Sequence, residues 1–204
     1  MVSSTEVFQS YAAYYDLLYK DKKYDDEVNY ICNLLQRMNV SGNQLLELGC
    51  GSCKHGYLLA QKGYCVHGIE QSEEMIKQVK HIDGFTCEQG DIRQFKYPKT
   101  VDAILALFHV ISYQVKNNDI NAANPVSFPN ENRIDVNYTV FIQNQQENYY
   151  HSFKETHSMR HFSLPELDQI AMYNGFERVA AEAFLTKQNP SEETWGVCIV
   201  LRKV

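Results

Sequence analysis

Between Gln44 and Leu107 short apolar runs alternate with helical segments, and that alternation restricts the folds open to the chain. "QLLEL", "YCVHGIE", "GFTCEQ" and "VDAILAL" read as strands; "KHGYLLAQKG" and "SEEMIKQVK" read as helices, the first closed by Gly63. Ser72 is placed to cap the second helix, with acidic residues in its first turn. Strands separated by helices predict an α/β fold, a parallel sheet with helices on both faces.

The flanks differ in character. Upstream, Val7, Phe8, Tyr11, Tyr14, Tyr15 and Leu18 fall at helical spacing, and Val28, Ile31, Leu34 and Leu35 form the stripe of a second helix over about 25–38. Downstream, "RIDVNYTVFIQ" and "ENYYHSFKETHSMRHF" read as an antiparallel hairpin around polar "NQQEN". In "SLPELDQIAMYNGF" Ser163 and Glu166 make a capping box and Asn174-Gly175 ends the helix. "FERVAAEAFL" and "TWGVCIVLRKV" suggest a last antiparallel pair. The expected organisation is a single domain over 1–204: a helical cap (1–40), a ligand-binding core (41–123), a hairpin (131–162) and a C-terminal helix with a strand pair (163–204).

Two hundred and four residues suffice to bury a core. The net charge of −6 argues against a general binder of nucleic acid, which needs a basic face. No apolar run reaches bilayer length, and "MVSSTEVFQS" lacks the regions of a signal peptide, so a cytoplasmic protein without a membrane partner is expected.

The chemistry is concentrated in "LLELGCGSCKHG", Leu45 to Gly56. Cys50 and Cys53 form a Cys-x-x-Cys pair, but no second pair or His-x3-His follows at a zinc-finger spacing, so no metal is expected. A thiol redox pair leaves Glu47 and the glycines without a role. Gly49 and Gly51 let the backbone turn sharply from strand to helix and approach a ligand. Glu70 ends the next strand, where a carboxylate can accept both hydroxyls of a ribose, and Asp91 of "EQGD" follows the third strand.

"ELGCGSCKHG", "GIEQSEEMI", "EQGDIRQF" and "VDAILALFHVISY", in that order, resemble the class I S-adenosylmethionine-dependent methyltransferases, whose sheet is Rossmann-like. "YYDLLYKDKKYDDEVNYI" and "FKETHSMRHFSLPELDQIAMYNGF" resemble small-molecule members such as nucleotide-sugar N-methyltransferases. The resemblance implies S-adenosylmethionine as cofactor and a small-molecule substrate, such as the amine of a nucleotide-linked sugar. A homodimer is compatible with it. It also implies that the loop Gly49, Cys50 and Gly51 contacts the methionine part of the cofactor, that Glu47 is among the cofactor-binding residues and that Glu70 holds the ribose. Gln71 and Met75 would flank the adenine, Asp91 would accept from its amino group, and Ile92 would pack beside it. Phe108 would lie along the cofactor, with Tyr15 and Tyr24 closing the pocket. Tyr113 and His109 are the candidates for orienting or deprotonating a substrate amine, and His157 and Arg160 for contacting the substrate.

Two departures from the family pattern stand out. Cys53 occupies the place of a third glycine, which points to a tighter or shifted loop. The chain also runs from "NNDINAA" almost directly to "NPVSFPNENRIDV", so the usual fifth sheet strand is expected to be missing around 123–130. An abridged sheet leaves a second reading, a catalytically inactive cofactor-binding relative that acts as a regulator or subunit.

Overall fold

The computed structural model describes residues 21–108, 110–113, 123–128, 131–144 and 149–204. The expected first helix, over 6–19, lies outside them. Helix α1 (Tyr24–Arg37) buries Val28, Ile31 and Leu35, one stripe at helical spacing. Asp25, Asp26 and Glu27 sit at its positive end and Arg37 at its negative end.

Four parallel strands follow: β1 (Gln44–Leu48), β2 (Cys65–Glu70), β3 (Phe85–Gln89) and β4 (Ala103–Ala106). They lie in the order β3-β2-β1-β4, with Leu45 between Val66 and Ala103. Helix α2 (Lys54–Gln61) joins β1 to β2, and the one-turn α3 (Glu73–Ile76) joins β2 to β3. Ser72 caps α3 by accepting from the Met75 amide. The α2–sheet contact is close: a side chain at Gly56 would run into the Phe85 ring. Leu45, Leu59, Val66, Ile69 and Phe85 fill the core between them.

The chain winds outward from β1 in one direction through β2 and β3, then returns past β1 to place β4 on its other side. The reversal opens a crevice at the carboxyl ends of β1 and β4, which is where open α/β sheets bind ligands.

The expectation of a missing strand around 123–130 needs a partial correction. Residues Ala123–Phe128 form a strand, β5, but it does not join the parallel sheet. It pairs antiparallel with β6 (Arg133–Asn144), which pairs in turn with β7 (Tyr149–Arg160). Among the described residues the parallel sheet therefore has four strands and no fifth. A short segment entering directly before β6 can reach an antiparallel partner, whereas a parallel partner needs a crossover of a dozen or more residues.

Residues 1–161 and 162–204 form two compact units. In the second, α4 (Leu164–Tyr173) begins at Ser163, which accepts from the Glu166 amide. Arg178 of β8 (Phe176–Ala183) grips Asp168 of α4 through two hydrogen bonds of 2.5 and 2.7 Å. Strand β9 (Val197–Lys203) completes the expected antiparallel pair. Among the described residues no helix is long and apolar enough to cross a membrane.

Candidate functional site

The site begins where β1 stops. Gly49, Gly51 and Cys53 all adopt left-handed backbone, at φ 63, 54 and 65°. A Cβ on Gly49 would lie 2.6 Å from a Val110 methyl, so that position excludes any side chain. The turn is fixed by its own amides: Cys50 donates to the Ile69 carbonyl at 3.0 Å, and Cys53 donates to Cys50 at 2.9 Å. Cys53 thus holds a left-handed conformation that favours glycine. For a residue with a Cβ that costs on the order of 1–2 kcal/mol.

Glu70 ties this loop to the next one. Its Oε2 accepts from the Gly51 amide and its Oε1 from the Ser72 amide, both at 2.8 Å. Burial raises its pKa, opposed by the amides of Ser72, Gly51 and Gln71. Met75 is buried behind Gly51, its sulfur 3.7 Å from where a Cβ at that glycine would sit. The Gln71 carbonyl accepts from the Gln89 side chain.

The crevice is lined by Gly49, Cys50, Gly51 and Ser52 after β1, by Lys54 and His55 at the start of α2, and by Leu107 and Phe108 after β4. Glu47 forms its floor and Tyr24 a side wall. Tyr24, Glu47, Gly49, Cys50, Gly51 and Phe108 are thus brought together as the sequence suggests. Phe108 reaches its place through a left-handed turn at φ 52°.

Asp91 is paired with Arg93. Arg93 clamps it through Nε at 2.8 Å and a terminal guanidinium nitrogen at 2.6 Å, which holds its carboxyl below the usual range. Ile92 is half-buried between the two. Tyr15 and His109 lie outside the described residues. Tyr113 ends a short 3-10 turn (Ile111–Tyr113), and its side chain lies outside the description. His157 is buried on β7 opposite Val136, and Arg160 stands opposite Arg133. Neither lines the crevice, although β7 packs against the turn that carries Tyr113.

A charged group in the floor was not legible in the sequence. His55 Nε2 lies 2.6 Å from Glu27 Oε2, Lys22 Nζ lies 3.1 Å from the same oxygen, and His55 Nδ1 is 3.8 Å from Glu47 Oε1. Burial pushes the Glu27 carboxyl up, but His55 and Lys22 more than offset it and hold it below the ordinary value. Burial lowers Lys22, against the pull of Glu27. The Lys22 ammonium sits 3.8 Å from the centre of the Phe108 ring and 4.7 Å from that of Tyr24. Glu27 reads in sequence as a dipole-complementing residue of α1, and nothing local links it to His55.

Glu47 is the most constrained group. It is 1% exposed, and its Oε2 has no hydrogen-bond partner among the described residues. Burial pushes its pKa up to about 8, helped by the nearby Cys87 and Glu70 and opposed by the Gly56 amide and Lys22. A buried carboxyl that is neutral near pH 7 becomes a partner for a positively charged ligand only by giving up its proton as that ligand binds.

Comparisons with known proteins agree with this geometry. Residues 45–125 match the family model described as a methyltransferase domain. A dTDP-3-amino-3,4,6-trideoxy-α-D-glucopyranose N,N-dimethyltransferase of Streptomyces venezuelae is 28% identical over 116 residues, 55% of this chain and 49% of its own length. The chain thus spans about half of that relative. A protein of Bacillus cytotoxicus described as an uncharacterized methyltransferase is 26% identical across 83% of this chain and 88% of its own. Among solved structures, an S-adenosylmethionine-dependent methyltransferase from Clostridium acetobutylicum superposes with a TM-score of 0.76 at 13% identity, covering 96% of this chain and 98% of that one. The chain therefore has the fold of an S-adenosylmethionine-dependent methyltransferase, with sequence similarity to a methyltransferase domain over residues 45–125. S-adenosylmethionine is the cofactor named for that structural neighbour. That cofactor is bound in an amino pentose methyltransferase from Micromonospora echinaspora, which superposes with a TM-score of 0.62 at 19% identity over 89% of this chain and 94% of that one.

The buried carboxyl of Glu47 gives a pH signature. Glu47 titrates near 8 in the fold and near 4.5 when unfolded. Between those values the folded state holds a proton that the unfolded state has lost, so its contribution to stability falls as pH rises from about 4.5 to 8. Glu47→Gln removes that dependence. Thermal unfolding should show the variant more stable than wild type at pH 8, by a few kcal/mol given about 1.4 kcal/mol per pKa unit, with a much smaller gap at pH 5. Equal gaps at both pH values would contradict a neutral Glu47.

Proposed function

We propose that this chain binds S-adenosylmethionine in the crevice between β1 and β4 and methylates the amine of a small molecule of the nucleotide-linked aminosugar class. The observation that carries the reading is the coupling of the glycine turn to Glu70: both carboxylate oxygens are held at the carboxyl end of β2 by loop amides. The dimethyltransferases of Streptomyces venezuelae and Streptomyces fradiae, named for dTDP-aminosugars, support the substrate class.

The residues fit the cofactor. Gly49 and Gly51 keep Cβ atoms out of the space above the turn, and the partnerless Oε2 of Glu47 offers an acceptor for an ammonium group. Glu70, fixed by two amides, retains lone pairs for ribose hydroxyls. When bound, the cofactor supplies an electrophilic methyl group on a positively charged sulfonium. The chain's contribution is positional: walls that hold the two reactants in line and exclude water. Phe108 and Tyr24 already surround the Lys22 ammonium, so the same aromatic surface suits a sulfonium. On the substrate side, an amine must reach this surface unprotonated. Tyr113, on the turn after β4, is our candidate to orient it, a role that rests on the sequence resemblance.

The direct test is mass-spectrometric: purified chain, S-adenosylmethionine and a panel of nucleotide-linked aminosugars and simple amines. A mass gain of one or two methyl groups on an aminosugar nucleotide supports the proposal. Methylation of only other acceptors would overturn the substrate class, and none on any acceptor would favour the inactive relative.

The aromatic wall makes a separate prediction. On this reading Phe108 turns an aromatic face to the charged sulfonium, a contact that the neutral thioether of S-adenosylhomocysteine would not share, and Phe108→Leu removes it. Affinity for S-adenosylmethionine should fall about 5- to 10-fold for a contact of about 1 kcal/mol, with a much smaller loss for S-adenosylhomocysteine. Equal losses measured by calorimetry would reduce Phe108 to a packing residue.

A further inference from the structure

The methyltransferase reading leaves the cysteines of the glycine turn without a chemical role. Sequence spacing argued against a metal because no further ligand stood near Cys50 and Cys53, but the fold supplies one. Cys87, in the middle of β3, brings its sulfur within 3.4 Å of Cys50, and Cys53 lies 3.6 Å from Cys50. All three sulfurs fall within 4.8 Å of one another.

The meeting depends on a gap in the sheet. Cys50 follows β1 and Cys87 belongs to β3, with β2 between them. The β2 residue in register with Cys87 is Gly68. A Cβ there would lie 2.7 Å from the Cys50 sulfur, so the glycine leaves the space through which Cys50 reaches across β2. Incidental buried cysteines behave as small apolar groups and need no such gap.

The spacing suits a soft ion. Zinc–thiolate bonds of about 2.3 Å at tetrahedral angles place the sulfurs roughly 3.8 Å apart, so the observed separations require shifts of about 1 Å or less. Cys50 and Cys53 are buried and Cys87 is half-buried, which leaves the approach open on the β3 side. All three thiols are free, and each would give up its proton on binding a metal ion. Thiolates of this kind select Zn²⁺ and Cu⁺ over harder cations.

We propose that Cys50, Cys53 and Cys87 together bind one soft d10 metal ion, Zn²⁺ or Cu⁺, and thereby pin the glycine turn to β3. Three sulfur–metal bonds form, thiol protons pass to solvent, and no electron is transferred. The inference stands independently of the reaction the domain catalyses.

The test uses the full chain, reduced and stripped of metal. Zn²⁺ and Cu⁺ are titrated separately against chromophoric chelators, and thiols are then alkylated and located by mass spectrometry. The expected result is one ion per chain, with Cys50, Cys53 and Cys87 protected from alkylation and the exposed Cys65 modified as before. Whichever ion competes better identifies the resident metal. Cys87→Ser should weaken binding roughly 100-fold or more, since losing even an outer-shell partner costs 10- to 100-fold, while Cys65→Ser should change nothing. Absence of a one-to-one complex, protection of other cysteines, or equal affinity in a folded Cys87→Ser variant would overturn the proposal. The alkylation pattern of the wild type decides the matter even if the variant does not fold.

Discussion

Everything at the carboxyl end of the sheet depends on the turn that follows Leu48. Three left-handed residues in five positions redirect the chain from β1 into α2, and such backbone is unfavourable unless its amides find partners. Glu70 supplies one by accepting from Gly51, and the Ile69 carbonyl supplies another by accepting from Cys50. Both partners come from the end of β2. The turn is therefore held by the neighbouring strand, and the loop after β1 and the entry to α3 form one rigid lip.

That lip separates two electrostatic environments. On the crevice side lie a neutral Glu47, the Glu27–His55–Lys22 group and the aromatic wall of Phe108 and Tyr24. Buried charge is costly unless compensated, and here one cation stands between a carboxylate and two rings while one carboxyl keeps its proton. On the β3 side lie three sulfurs gathered over Gly68. Cys50 belongs to both: it lines the crevice and touches Cys87. A change at the thiol cluster is thus positioned to reach the ligand site through a single residue.

The sheet was readable because its signals are local. "QLLEL" and "YCVHGIE" are short apolar runs bounded by breakers, Ser72 caps as its residue type implies, and Glu70 falls at a strand end by counting. What escaped reading depends on contacts between distant residues. Glu27 and His55 are 28 positions apart, and Cys87 is 37 from Cys50, so no spacing rule connects them. The strand at 123–128 was hidden for a different reason: "ANPVSF" carries a proline and little apolar periodicity, and its pairing is set by the turn into β6. The pairing of Asp91 with Arg93, two positions on, is a local contact that a reading by strand ends passes over.

The central claim is that Glu70, fixed between the Gly51 and Ser72 amides, is the group that fastens the ribose of S-adenosylmethionine. Calorimetry on folded wild-type and Glu70→Ala chains tests it directly. Hydrogen bonds to a charged acceptor contribute about 1.5–3 kcal/mol, so the variant should bind the cofactor roughly 10- to 100-fold more weakly. A dissociation constant unchanged by the substitution would contradict the account.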